Sequence, residues 1–357
     1  MSQLFQPLEI GQETMKNRFM LAPLTNCQSN DDGTLSDEEF KWLTMRAEGG
    51  FGLTMTCAAH VQAVGRGFPG QLGIFGDNQL DGLTRLASAI KSHDSIAIAQ
   101  LHHAGMRSPH DLIEGPPVSA SDDEETGSRA LSTDEVKQVI TDFISAAVRA
   151  ERAGFDGVEL HGAHGYLICQ FLSSEINHRT DEYGGTLDNR ARVLTEIIDG
   201  IRENCEPEFL LGVRLSPERF GMDLTEIKTL SEQIMLSGNI DFLDISLWDS
   251  FKEPNEEAFK GTSLLSHFAN LDRGDAKLGV AGKISTPSDA EEIMSQGVDW
   301  IMLGRAAIIN HDFPNQQQAN PDFTPTALPV SPSYLNNEGL SDNFVEYMRR
   351  WKGFVTD

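Results

Sequence analysis

Three side chains within six residues could do chemistry on a carbonyl group: His161, His164 and Tyr166. They follow Gly157-Val158-Glu159-Leu160, a short apolar run with a helical pattern before it and a Gly-punctuated loop after it. That is the sequence form of a βα unit. His161 falls at the strand's end, and side chains at the end of a parallel strand face the mouth of an α/β barrel. Two imidazoles there can polarise a carbonyl, and a phenol can deliver a proton. A structural role for either histidine is the plainer alternative. His-x-x-His could also be half a metal site, but no third ligand stands at suitable spacing, and no metal is expected.

Other strand ends carry matching chemistry. Gln100 closes one apolar run and Arg214 lies near the end of another. A buried amide and a buried guanidinium in one barrel mouth need partners, and a flat heterocycle with carbonyls and N–H groups would supply them. The alternative is an ion pair from Arg214 to an acidic loop residue, with Gln100 bonded to backbone. Gly282 and Gly304-Arg305 follow the last two strands, where barrels often hold phosphate. Glycines let backbone N–H groups approach an anion, and arginine adds a forked donor.

The elements that must position these residues alternate along the chain. Strands are expected at 18–21, 53–57, 96–101, 157–160, 209–215, 242–247, 277–281 and 300–303. Helices fall between them. Ser36-Asp37-Glu38-Glu39 and Ser132-Thr133-Asp134-Glu135 read as capping boxes, and Thr286-Pro287 as a helix start. Eight alternations argue a closed (β/α)8 TIM barrel of the α/β class rather than a doubly wound sheet, whose glycine fingerprint Ala22-Pro23-Leu24-Thr25 lacks. One domain is expected over 1–357, with the barrel at about 18–310 and a C-terminal extension from about 311. A hairpin near Leu8 to Met15 should precede it. A long polar loop, Ala104 to Leu131, follows strand three. Pro314 to Pro332 reads as a Pro-rich loop before a last helix from about Ser341 to Lys352. Arg179, Asp181, Asn189 and Arg190 read as ties for the long segment after strand four.

Taken together, NRFMLAPLTN, QLHHAG, the stretch from Gly157 to Arg192, GVRLSP and IMLGRA resemble the old yellow enzyme family of flavin-dependent ene-reductases from Leu4 to about Pro314. The resemblance implies a non-covalent FMN over the barrel mouth and NADH or NADPH as reductant. It implies that Ala22, Pro23 and Thr25 lie against the flavin and that Ala58 packs on its ring. Gln100 and Arg214 would contact the pyrimidine end, with Arg214 stabilising the reduced, anionic form. Gly282, Gly304 and Arg305 would hold the phosphate. His161 and His164 would grip the oxygen of an activated alkene, an α,β-unsaturated carbonyl or nitro compound, and Tyr166 would donate the proton. Met106 stands where the family often has Arg, with Arg107 beside it. Cys27 does not inherit the redox-tuning position, which Thr25 occupies.

Lys and Arg number 28 against 54 Asp and Glu, a net charge of −26. Nucleic acid and anionic membranes are repelled by such a surface. The four cysteines form no CxxC pair, no signal-peptide layout opens the chain, and no apolar run is of membrane-spanning length. A cytoplasmic enzyme with a small-molecule substrate is expected, and a homo-oligomer is compatible with the sequence. Two other functions suit part of the pattern: a flavin-free aldolase or isomerase acting on a phosphorylated substrate, which leaves Gln100 and Arg214 idle, and a flavin-binding redox sensor without turnover.

Overall fold

In the computed structural model, which describes residues 2–356, eight parallel strands form a closed barrel. They are Phe19–Leu21 (β1), Leu53–His60 (β2), Ile96–His102 (β3), Gly157–Gly162 (β4), Leu210–Leu215 (β5), Phe242–Ser246 (β6), Lys277–Ala281 (β7) and Trp300–Leu303 (β8). Each pairs with the next, and β8 pairs back to β1 with Ile301 opposite Phe19. Outside lie α1 (Asp37–Glu48), α2 (Leu80–Lys91), α3 (Thr133–Arg152), the short α4 (Leu167–Leu172), α5 (Leu187–Asn204), α6 (Leu224–Leu236), α7 (Ser266–Ala269), α8 (Pro287–Met294) and α9 (Arg305–Ile309). Their apolar faces meet the outward side chains of the strands in one large core.

The barrel interior is layered. At the floor, the hairpin strands Leu8–Ile10 and Glu13–Met15 put Leu8, Ile10 and Met15 against inward Leu53, Ile96 and Leu210. The hairpin thus seals the end of the barrel opposite the strands' C-terminal ends. Met20, Ile98, Phe242, Trp300 and Met302 fill the layer above. The inward positions then turn polar: Gln100, Glu159, Arg214 and Asp244 are all buried. A dry apolar plug below and a polar layer above force any ligand to sit at the strands' C-terminal ends.

Several boundaries differ from the sequence reading. β2 continues past Cys57 to His60 through an irregularity between Met55 and Ala58, which turns Ala58 alongside Gln100 of β3. In α1, Ser36 Oγ accepts from Glu39 N–H at 3.0 Å, but Glu39 does not reach back as a capping box requires. Its buried carboxylate accepts from Asn26 Nδ2 at 3.0 Å and from Ser29 Oγ, anchoring the loop after β1. The Ser132 and Thr286 boxes are complete. The 104–131 segment is ordered: Val118–Ser119 pairs with Arg129–Ala130. The expected Pro-rich loop opens with a helix, α10 (Phe313–Ala319), because Pro314 occupies the first turn. Two helices follow, α11 (Pro332–Asn337) and α12 (Asp342–Met348), the latter ending short of Lys352. No helix is long and apolar enough to cross a membrane among the described residues.

Candidate active site

The segment leaving β4 is bent by two consecutive left-handed residues, His164 (φ 60°) and Gly165 (φ 70°). A non-glycine residue there costs of order 1–3 kcal/mol and persists only if its surroundings fix it. Ser216 Oγ accepts from His164 N–H at 3.0 Å, and the Arg107 guanidinium donates to the His164 carbonyl. Arg107 also lies 4.9 Å from the centre of the Tyr166 ring. Arg107, beside Met106, therefore ties the segment after β3 to this bend. The bend brings three aromatic rings together, with Tyr166 centred 5.0 Å from His161 and 4.3 Å from His102.

The hydrogen bonds assign the tautomers. Ala163 N–H donates to His161 Nδ1 at 3.3 Å, so the His161 proton is on Nε2. That nitrogen faces His164 Nδ1 at 3.3 Å, which leaves the His164 proton on Nε2, 2.7 Å from Ser246 Oγ. Both imidazoles are neutral. Burial holds His161 well below its usual pKa, with His164, His102 and Arg214 adding to the effect. Burial, then Arg214 and Arg107, lowers His164 to about 3. Each histidine thus offers one polarised N–H and resists taking a proton from its partner's ligand.

Below them, Gln100 Nε2 donates to Glu159 Oε1 at 2.5 Å, not to backbone. Among the described residues, Arg214 makes no ion pair with an acidic loop residue. Its Nη2 donates to Ser246 Oγ at 3.4 Å, and its buried Nε and Nη1 have no partner among the described residues. Above the β7 and β8 ends lies a cavity of about 250 Å³, lined among others by Ala22, Pro23, His164, Arg214, Gly282, Gly304 and Arg305. Arg305 packs its guanidinium 5.2 Å over Trp351 at the cavity rim. Four expected residues surround this space without lining it. Ala58 and Gln100 lie on the neighbouring strands, His161 sits beneath His164, and Thr25 lies beside Tyr347 of α12. Tyr166 does not line it either; its ring centre is 6.4 Å from that of His164. No three His, Cys, Asp or Glu side chains among the described residues form a metal cluster.

The family described as NADH:flavin oxidoreductase / NADH oxidase has a model that matches residues 3–322. An NADPH dehydrogenase of Bacillus subtilis (strain 168) is 34% identical over 357 residues, covering 98% of this chain and 99% of its own. Among solved structures, the old yellow enzyme homologue from Zymomonas mobilis superposes with a TM-score of 0.81 at 26% identity, over 95% of this chain and 99% of that one. Morphinone reductase in complex with tetrahydroNAD gives 0.79 at 27% identity, over 95% and 96%. The chain belongs to the old yellow enzyme family.

Old yellow enzymes are FMN-dependent oxidoreductases that use NAD(P)H, which removes the flavin-free aldolase or isomerase reading. The residues of this family member fit FMN. Two unpartnered Arg214 nitrogens suit the carbonyl and ring-nitrogen acceptors of an isoalloxazine. With Nε2 given to Glu159, Gln100 keeps Oε1 as acceptor for a ring N–H. At Gly282 an added Cβ would meet Ser250 N at 2.8 Å and Asp249 N at 2.9 Å. A glycine is therefore required for the loop after β6 to pack against this turn, where Ser250 N–H donates to the Gly282 carbonyl at 3.1 Å.

The sequence reading of this old yellow enzyme missed Ser246, Trp248, Lys283 and the C-terminal Trp351, all lining the cavity. Ser246 ends β6, so the strand-end rule that found Gln100 could have found it. Lys283, at φ 52° and paired with Asp249 at 2.8 Å, follows Gly282 directly. Trp351 gave no local signal. It reaches the mouth because α12 lies against the loop after β1, with Tyr347 meeting Thr25. The scaffold reading of the post-β4 segment agrees with the structure: Arg179 pairs with Asp181 and donates to the Leu131 carbonyl, and Arg190 donates to the Leu172 carbonyl and to Glu226.

Proposed function

We propose that this enzyme reduces activated alkenes, α,β-unsaturated carbonyl or nitro compounds, at the expense of NADH or NADPH. The observation that carries the reading is the ordered pair of neutral imidazoles beside the cavity, each with its N–H on Nε2. A substrate oxygen takes the His161 N–H in place of His164 Nδ1 and the His164 N–H in place of Ser246 Oγ. Two N–H groups fixed in a water-poor site stabilise the negative charge that develops on that oxygen. When bound, FMN would supply the redox chemistry, hydride transfer between the nicotinamide and the alkene's β carbon. Ala22, Pro23, Thr25 and Ala58 shape its seat. Gln100 and Arg214 hold its pyrimidine end, and Gly282, Gly304 and Arg305 its phosphate. Tyr166 holds the proton destined for the α carbon. Arg107 over its ring face and His102 against its edge fix the phenol's direction. Four free thiols, two of them buried, and an acidic composition suit a cytoplasmic protein.

Replacing Tyr166 with Phe tests the assignment. The ring and its packing stay, so flavin reduction by NAD(P)H should keep its rate. Reoxidation by an enone should slow by about 100- to 10,000-fold, the usual loss when a general acid is removed. Nitroalkenes should suffer less, because the nitronate can wait for a solvent proton. Stopped-flow measurement of both half-reactions decides it; an unimpaired enone half-reaction would move the proton to another donor.

A further inference from the structure

The polar layer contains two carboxyl groups that the proposed chemistry does not use. Glu159 and Asp244 are both fully buried, on β4 and β6, with Arg214 of β5 between them and directly opposite Asp244. Glu159 Oε1 accepts from Gln100 Nε2, and Asp244 Oδ1 accepts from Trp300 Nε1 at 3.1 Å. The remaining oxygens, Glu159 Oε2 and Asp244 Oδ2, have no donor among the described residues. Two buried carboxylates side by side would be strongly repulsive, and two orphaned acceptors are costly. One proton between them removes both problems. The two side chains lie within hydrogen-bonding reach of each other.

We propose that Glu159 and Asp244 share one proton and together carry a single negative charge, which fixes Gln100 and partly offsets the Arg214 guanidinium under the flavin's pyrimidine end. They are positioning residues, acting through Gln100 and Arg214. The direction of Asp244 titration agrees: burial first, and Glu159 beside it second, push it well above the usual carboxylate range. A charge in this place tunes the cofactor. Reduced flavin gains negative charge at its pyrimidine end, so an uncompensated Arg214 would favour the reduced form more than the compensated one does. This inference rests on the assignment of Gln100 and Arg214 to that end of the flavin.

The shared proton makes a non-additive prediction. In Glu159→Gln or Asp244→Asn the surviving carboxyl has lost its like-charged neighbour and ionises beside Arg214, so the site keeps its one negative charge. Only Glu159→Gln/Asp244→Asn removes it. The midpoint potential of bound FMN should stay near wild type in both single variants. In the double variant the reduced form should gain about tenfold in relative affinity, a rise of about 30 mV for a two-electron couple. Infrared spectra of protein with ¹³C-labelled aspartate carboxyls supply a readout independent of the flavin. A protonated-aspartate C=O band should be present in wild type and absent in each variant, with near-UV dichroism confirming the fold. Equal shifts in the single variants that sum in the double one would mean two independent charges and overturn the proposal. So would a full shift in either single variant, an unmoved potential in the double variant, or no aspartic acid band. Arg214→Met separates the two levels: if it changes neither FMN affinity nor potential, the assignment of Arg214 to the flavin fails, whatever the infrared band shows.

Discussion

Gly282 has room for a hydrogen and little else. An alanine there must push against Ser250 N and Asp249 N in the loop after β6 and so shift the turn expected to hold the phosphate. Gly282→Ala should weaken FMN binding by on the order of tenfold, the cost of one displaced hydrogen bond. Because the clash is with backbone, the apo-protein should also lose about 1–3 kcal/mol of stability. Fluorescence titration of apo-protein with FMN measures the first and a thermal melt the second; equal FMN affinity would remove Gly282 from the phosphate site. Residues of this kind were legible because their chemistry is local: glycine, arginine or histidine at a strand's end reads as mouth-facing whatever surrounds it. Glu159 and Asp244 were not, since an acidic residue inside an apolar run shows neither its partner nor its proton. Nor was the strain at His164, because nothing in His-Gly-Tyr reveals which residue takes the positive φ.

At the scale of elements, one side chain joins what the sequence shows as separate loops. Gln170 of α4 is fully buried. Its Oε1 accepts from Met106 N–H at 3.2 Å and Ser119 Oγ at 3.0 Å, and its Nε2 donates to the carbonyls of Ala104 at 3.2 Å and Gly165 at 2.8 Å. It therefore ties the loop after β3 to the bend that carries His164 and Tyr166. Gln170→Leu keeps the volume and strands these groups. A loss of about 2–4 kcal/mol in urea unfolding is expected, together with weaker substrate binding. A loss under about 1 kcal/mol would mean that water replaces the amide without penalty. The strands themselves were easy to see, since a run such as Ile96 to Leu101, bounded by polar residues, can be little else. What failed were ends and exceptions. The β2 irregularity depends on pairing with β3, and α10 was hidden because Pro314, which opens it, reads alone as a breaker.

For the whole molecule, five imidazoles are kept neutral by burial: His60 at about 4, His103 and His164 at about 3, and His102 and His161 well below their usual value. Unfolded, each would take a proton near pH 6.5. Between about pH 6.5 and 4 the unfolded chain therefore binds more protons than the folded one at these sites, and their contribution to stability falls as pH falls. Asp244 and Glu39, raised by burial, act oppositely, binding protons in the folded state that the unfolded state has released. Five groups against two leave a net loss on acidification, about 1.4 kcal/mol per pH unit for each net proton. Urea unfolding of apo-protein at pH 7, 6 and 5 should show stability dropping steadily. A flat or rising profile toward acid would show that these imidazoles are charged in the folded protein.

The pairing of β8 with β1 has a consequence for how the chain is made. Phe19 leaves the ribosome well before its partner Ile301. At about 5–20 residues per second, synthesis of the intervening chain takes roughly 15–60 s. During that time β1 has one unpaired edge, and the hairpin floor waits for Leu210 and Phe242. Nascent chains are therefore open, curling sheets with a sticky seam, and the barrel becomes a ring only after Leu303 emerges. A chaperone that shields the seam should raise the yield of this protein more than one that acts on the finished ring.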